Sequence, residues 1–171
     1  EYALSKDTIK KIVYEKQGRE ELKFVPGIQS AKEYNENDLL EEWIHTYLLF
    51  ERKNKAFSDG LYLENRYYLG PLTMPLSMFT RNSGPEEGIK WQVHPEVFED
   101  KVEVWRERIQ KEEILPPVIV GYAEGEFEIN CNNPLFEALL REGVTYFPVI
   151  MWTTKKEDYD DFVSKYAPYT E

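Results

Sequence analysis

The sequence predicts an α+β fold: a mixed sheet with packed helices, preceded by a helical N-terminal extension. Two observations carry this. From Pro116 onward the pattern reads strand, strand, helix, strand, helix, and in residues 1–60 the apolar positions recur at helical rather than strand spacing. The extension is accordingly placed at 1–60 and the domain at 61–171.

Taken in order, Ser5 is positioned to cap a helix with Ile9, Ile12 and Val13 on one face. Residues 18–35 are mixed, with Pro26-Gly27 as a turn. From Asp38, the residues Leu39, Leu40, Trp43, Ile44, Tyr47 and Leu48 make one broad apolar face, predicting a helix over 38–54 that packs on the sheet through Trp43 and Tyr47. It fades in the polar run Glu51 to Lys55 and stops before Asp59-Gly60. Tyr67 to Leu72 reads as a strand, and Asn82 to Gly88 as a Gly/Pro loop. Pro95 opens a helix over 95–110, with His94 as its cap and Phe98, Val102, Trp105 and Ile109 on one stripe. Val118–Tyr122 and Phe127–Asn130 form a hairpin around Glu124-Gly125. A helix at 134–142 ends at Gly143, a strand covers Tyr146–Trp152, and a last helix at 156–166 carries Tyr159, Phe162, Val163 and Tyr166. The Asp158-Tyr159-Asp160-Asp161 run is its solvated face.

Composition narrows the function classes. A hydrophobic share of 42% supports a packed core rather than a disordered chain. One Cys excludes a disulfide framework and fits a cytoplasmic location, and no apolar run is long enough to span a membrane. The net charge is −11, and residues 69–171 hold 10 Lys and Arg against 19 Asp and Glu, so nucleic acid is not an expected partner. His45 and His94 stand alone, without Cys or His at metal-ligand spacing, so no metal site is expected.

One stretch carries a resemblance. Leu115-Pro116-Pro117-Val118-Ile119-Val120 leads to Glu126-Phe127-Glu128-Ile129-Asn130, then Cys131-Asn132-Asn133-Pro134-Leu135. Phe136 to Gly143 and Pro148-Val149-Ile150-Met151-Trp152 follow. Upstream lies Arg81-Asn82-Ser83-Gly84-Pro85-Glu86-Glu87-Gly88. Together these resemble the ParB-like domain of the ParB/sulfiredoxin superfamily, over roughly Tyr67 to Trp152. The resemblance implies a ParB/sulfiredoxin-like mixed sheet. It also implies a nucleotide (CTP, ATP or ADP, with magnesium) whose phosphates meet a DGNHR-type motif at a helix N-terminus.

Laid on that motif, the chain has Cys131, Asn132, Asn133, Pro134 and Leu135, so only Asn133 survives. The motif's Arg, a bidentate phosphate partner, is gone, and Pro134 brings neither an imidazole nor a backbone N–H. Restoring Pro134→His and Leu135→Arg is expected to raise nucleotide affinity. Cys131 reads as a buried structural thiol, Asn133 as a helix N-cap, and Glu137 as a surface or local capping residue. The candidate ligand-binding residues are Arg81, Gly84, Glu86, Glu87, Asn132 and Asn133. The expected function is binding of a protein or small ligand, self-association included, rather than catalysis. A nucleotide-binding or nucleotide-hydrolysing enzyme using the Arg81/Glu86 loop is the alternative. A DNA nuclease, which the family also contains, is opposed by the acidic balance.

Overall fold

The computed structural model describes residues 22–170, so the Ser5-capped helix lies outside the described residues. Six strands form in chain order: β1 (Tyr67–Pro75), β2 (Ser83–Gly84), β3 (Trp91–Gln92), β4 (Val118–Ala123), β5 (Glu126–Cys131) and β6 (Tyr146–Thr153). Four of them make one sheet in the order β1-β6-β4-β5, while β2 and β3 pair separately. The β1/β6 and β4/β5 pairs are antiparallel and β4/β6 is parallel, so the sheet is mixed as expected.

The period-2 alternation of the strands divides the core. Val118, Val120 and Tyr122 of β4 and Val149 and Met151 of β6 point to one face. There they meet α4 (Pro95–Gln110), α5 (Asn133–Arg141) and α6 (Lys156–Lys165) through Phe98, Val102, Leu135, Leu139 and Phe162. Ile119 and Ile150 point to the other face. That face is covered by α1 (Ile28–Glu36), α2 (Leu40–Thr46), a π-helical turn (Tyr47–Glu51) and α3 (Lys55–Tyr62), through Tyr34, Leu39, Trp43, Tyr47 and Leu61. The segment before the sheet therefore shares a core with it, and Trp43 and Tyr47 make the contact the sequence predicts.

A bulge sets one critical orientation. Ile119 pairs with Cys131 but Val120 pairs with Ile129, leaving Asn130 as the extra residue. Ile129 and Cys131 are two apart, a spacing that puts side chains on one face of a regular strand. Across the bulge they join opposite cores.

The C-terminal elements fall where the sequence places them, and His94 caps α4 by accepting from the Glu96 N–H at 3.2 Å. Three expectations before residue 66 are corrected. Residues 28–36 form α1, where a mixed segment was expected. Asp38, at φ 58°, separates it from α2. The helix expected over 38–54 is a short α-helix continued by the π-helical turn. Asp59-Gly60 is no stop but lies inside α3, because Asn54 caps that helix by accepting from the Phe57 N–H at 3.1 Å. Leu61, four residues after Phe57, then anchors the same face in the core. Arg66 closes the end by donating to the carbonyls of Gly60 (2.8 Å) and Leu61 (3.2 Å). A fourth correction concerns α6. Asp158 accepts from the Glu124 N–H at 3.0 Å and Asp161 from the Tyr122 hydroxyl, so part of this run anchors the hairpin instead of facing solvent.

Candidate functional site

A cleft of about 1350 Å³ opens along the β4–β5 edge of the sheet. The head of α5, the Arg81 segment, β3 and the turn that precedes α3 all line it. It collects several sequence-predicted residues. Arg81, Asn132 and Asn133 line it, while Gly84, Glu86 and Glu87 sit in the adjoining loop.

Arg81 is anchored on every side. Its guanidinium donates to the Ser83 carbonyl at 2.9 Å and forks onto both oxygens of Glu86, and its Nε lies 3.3 Å from the Glu137 carboxylate. The Phe98 ring packs beneath it at 4.9 Å. The hydrogen bond from Arg81, joined by its charge, holds the Glu86 carboxyl below the usual range. Gly84 makes the arrangement fit: a Cβ there would stand 1.9 Å from Arg81 Nη1 and 2.5 Å from Glu86 Oε1. Glu137 is mostly buried and bridges Arg81 and Arg141, which corrects the surface role expected for it. Glu87 is exposed, with no ion pair among the described residues.

The two asparagines are likewise engaged. Asn132 adopts the left-handed conformation, φ 68° and ψ 38°, and is the N-cap residue of α5, with Asn133 the first helical position. The N-cap role expected for Asn133 is thus corrected by one residue, and neither side chain caps the helix. Asn133 Oδ1 instead accepts from the Asn82 N–H (3.0 Å) and the Ser83 N–H (3.3 Å), while its amide donates to Asn82 Oδ1 at 3.1 Å. Asn132 donates to the Tyr47 hydroxyl (2.9 Å) and the Pro117 carbonyl (3.2 Å), tying the head of α5 to the π-helical turn. A side chain held this way is positioned to keep two backbone segments in register.

Cys131 is buried, and desolvation pushes its thiol up to about 11 despite the opposing charge of Arg52. At neutral pH it is a thiol, not a nucleophilic thiolate. Leu135 is fully buried in the α4–α6 core. An Arg there would face the core, not the cleft, so Leu135→Arg loses the basis the sequence provided, whereas Pro134 lines the cleft.

The structure also brings in residues the sequence reading missed. Arg52 and Lys53 leave the π-helical turn and line the cleft, as does Lys101 of α4. Arg52 lies over the Trp105 ring at 5.9 Å, and Trp105 is one helical turn from Lys101. Among the described residues no carboxylate pairs with Arg52, Lys53 or Lys101, whereas Lys90, on the same cleft, pairs with Glu128 at 3.2 Å. In the sequence Arg52 and Lys53 register only as a polar run ending a helix. At the sheet floor Trp152 donates to Asn130 Oδ1 at 2.8 Å, and Gly121 keeps that floor flat, since a Cβ there would lie 3.0 Å from the indole.

Among the described residues no helix is long and apolar enough to cross a membrane. No protein-family model matches the chain, and no curated protein matches it in sequence. Among solved structures, the chain is similar to sulfiredoxin from Arabidopsis thaliana, with 15% identity over 58% of this chain and 97% of that one, at a TM-score of 0.34. It is also similar to the C-terminally truncated chromosome-partitioning protein ParB from Caulobacter crescentus complexed with CTP-gamma-S. That match has 18% identity over 59% of this chain and a TM-score of 0.34, and spans about half, 52%, of the ParB chain. The α+β architecture itself stands on the strand order and helix packing described above.

Proposed function

We propose that the chain is a ParB-like domain that works by holding a small ligand in its cleft rather than by catalysis. One observation carries this reading. The cleft is wide, yet the groups on it that are best suited to chemistry are already engaged internally: Arg81 by Glu86 and Glu137, the two asparagines by backbone and Tyr47, and Cys131 by burial. Such a site is organised for shape and charge. A nucleotide is the ligand class that the sequence resemblance implies. Among the described residues no group of three or more His, Cys, Asp and Glu side chains is placed to hold a metal ion. Magnesium, which the same resemblance implies, would enter with the phosphates of the nucleotide.

The test is a thermal-shift screen of the 171-residue chain against CTP, ATP, ADP and GTP, with and without magnesium, followed by a turnover assay on any nucleotide that shifts it. A raised melting temperature without turnover is the expected result. Turnover abolished by Glu86→Gln would replace this reading with a hydrolytic enzyme built on the Arg81/Glu86 loop. Duplex DNA is expected to bind no tighter than about 10⁻⁶ M near physiological salt. A nanomolar gel shift would reverse that.

A further inference from the structure

We propose that Arg52, Lys53 and Lys101 form the seat for a phosphate group of the ligand, so that the segment before the sheet supplies most of the charge the site uses. This rests on the cleft being a ligand site. Three observations meet here. First, the three cations line one cleft. Arg52 lies over Trp105 of α4 at 5.9 Å and near enough to the end of β5 for its charge to act on Cys131, and Lys53 and Lys101 line the same cleft. Second, they carry no ion pair among the described residues, in a chain with 32 Asp and Glu against 21 Lys and Arg. With no carboxylate against them, these three charges are open to an anion from outside.

Third, the cleft is polarised. Glu124 and Glu126 line it from the hairpin side, where Lys90 is taken up by Glu128 at 3.2 Å and Lys155 is the other cation. Glu126 is five residues from Cys131 along β5, about 17 Å at strand rise. An anion is attracted at the Arg52 end and repelled at the hairpin end, so a ligand with a single phosphate-bearing end enters in one direction. Guanidinium and ammonium groups together favour a phosphomonoester or diphosphate, with Arg52 giving the planar fork and the two lysines point charges.

Calorimetry on the full chain tests this with pyrophosphate, CTP, ATP, cytidine and adenosine. Wild type is expected to bind the nucleotides and pyrophosphate, and to bind the nucleosides at least about tenfold more weakly. Arg52→Gln, Lys53→Gln and Lys101→Gln should each weaken nucleotide binding about tenfold and the first two together about a hundredfold. Arg52→Lys should recover part of the loss. Lys165→Gln, outside the cleft, should change nothing. Melting curves establish that each variant is folded. Nucleosides binding as tightly as nucleotides would overturn the phosphate seat while leaving the cleft a ligand site. Nucleotide binding unchanged in the Arg52/Lys53 double variant would overturn the assignment of residues. No binding by any probe would overturn the proposal, and a negative thermal-shift screen would then remove the cleft reading as well.

Discussion

The two faces of the sheet solve the same packing problem differently. On the α4–α6 side, Phe98, Leu135, Leu139 and Phe162 close the core, and the buried Tyr122 hydroxyl finds a partner in Asp161. On the α1–α3 side the burial is as deep, but three buried polar atoms have no hydrogen-bond partner among the described residues: the hydroxyls of Tyr34 and Tyr68 and His45 Nε2, which has the Glu41 carboxylate 3.9 Å away. An unsatisfied buried polar group costs about 1–3 kcal/mol. That difference falls on the side that carries Arg52 and Lys53 to the cleft.

The largest expected effect tests whether the two sides form one cooperative unit. Trp43→Ala removes a fully buried indole stacked on Tyr47 at 5.0 Å and should lower stability by about 3–5 kcal/mol in urea unfolding. A loss below about 1 kcal/mol would show that the α1–α3 layer folds apart from the sheet, and would support the expected split near residue 60.

Acid should act on the α1–α3 side. His45 Nδ1 lies 2.7 Å from Ser58 Oγ and its ring stacks on Tyr62, so burial lowers its pKa to about 4, against the opposing pull of Asp59. The folded value lies below the unfolded one of about 6.5, so the unfolded chain takes the proton first. Stability is full above pH 6.5 and falls as pH drops toward 4, by about 2–3 kcal/mol at pH 4.5 from this residue. Comparing urea midpoints of wild type and His45→Gln at pH 7 and 4.5 isolates it from the carboxylates. Equal losses in both proteins would mean that folding leaves the His45 pKa unchanged.

Asn133→Ala leaves the N–H groups of Asn82 and Ser83 without their buried acceptor and is expected to cost about 1–3 kcal/mol, with faster amide exchange at both positions. The smallest effect belongs to Glu86→Gln. Its ion pair with Arg81 is half exposed, so stability should change by less than about 1 kcal/mol. A larger change would make that pair a structural strut rather than a loop contact.

The same division separates what was legible in the sequence from what was not. α4, the β4–β5 hairpin, α5, β6 and α6 announce themselves because each has clean periodicity and a punctuating residue: Pro95, Gly125, Pro134 or Gly143. α1 does not, since Ile28–Glu36 is mostly polar and buries only Ser30, Ala31 and Tyr34. Gly60 looked like a stop because propensity cannot see the Asn54 cap or the anchoring of Leu61. The candidate loop was found by its residue types, but the asparagines' roles were not, because the bulge at Asn130 and the left-handed Asn132 turn the chain locally. Arg52 and Lys53 were illegible as site residues because they are 79 and 78 positions before Cys131 in the chain. No local pattern links them to it.

That separation also bears on how the chain acquires its structure during synthesis. Trp43, Tyr47 and Leu48 emerge early, but the sheet residues they cover, Ile119, Cys131 and Ile150, come some 70–110 positions later. At about 5–20 residues per second the aromatic face waits several seconds or more without its partner. Contacts of such sequence separation slow folding, and a waiting apolar face invites association with other chains. The aromatic layer that covers this face of the sheet is then also the part of the nascent chain most in need of a chaperone.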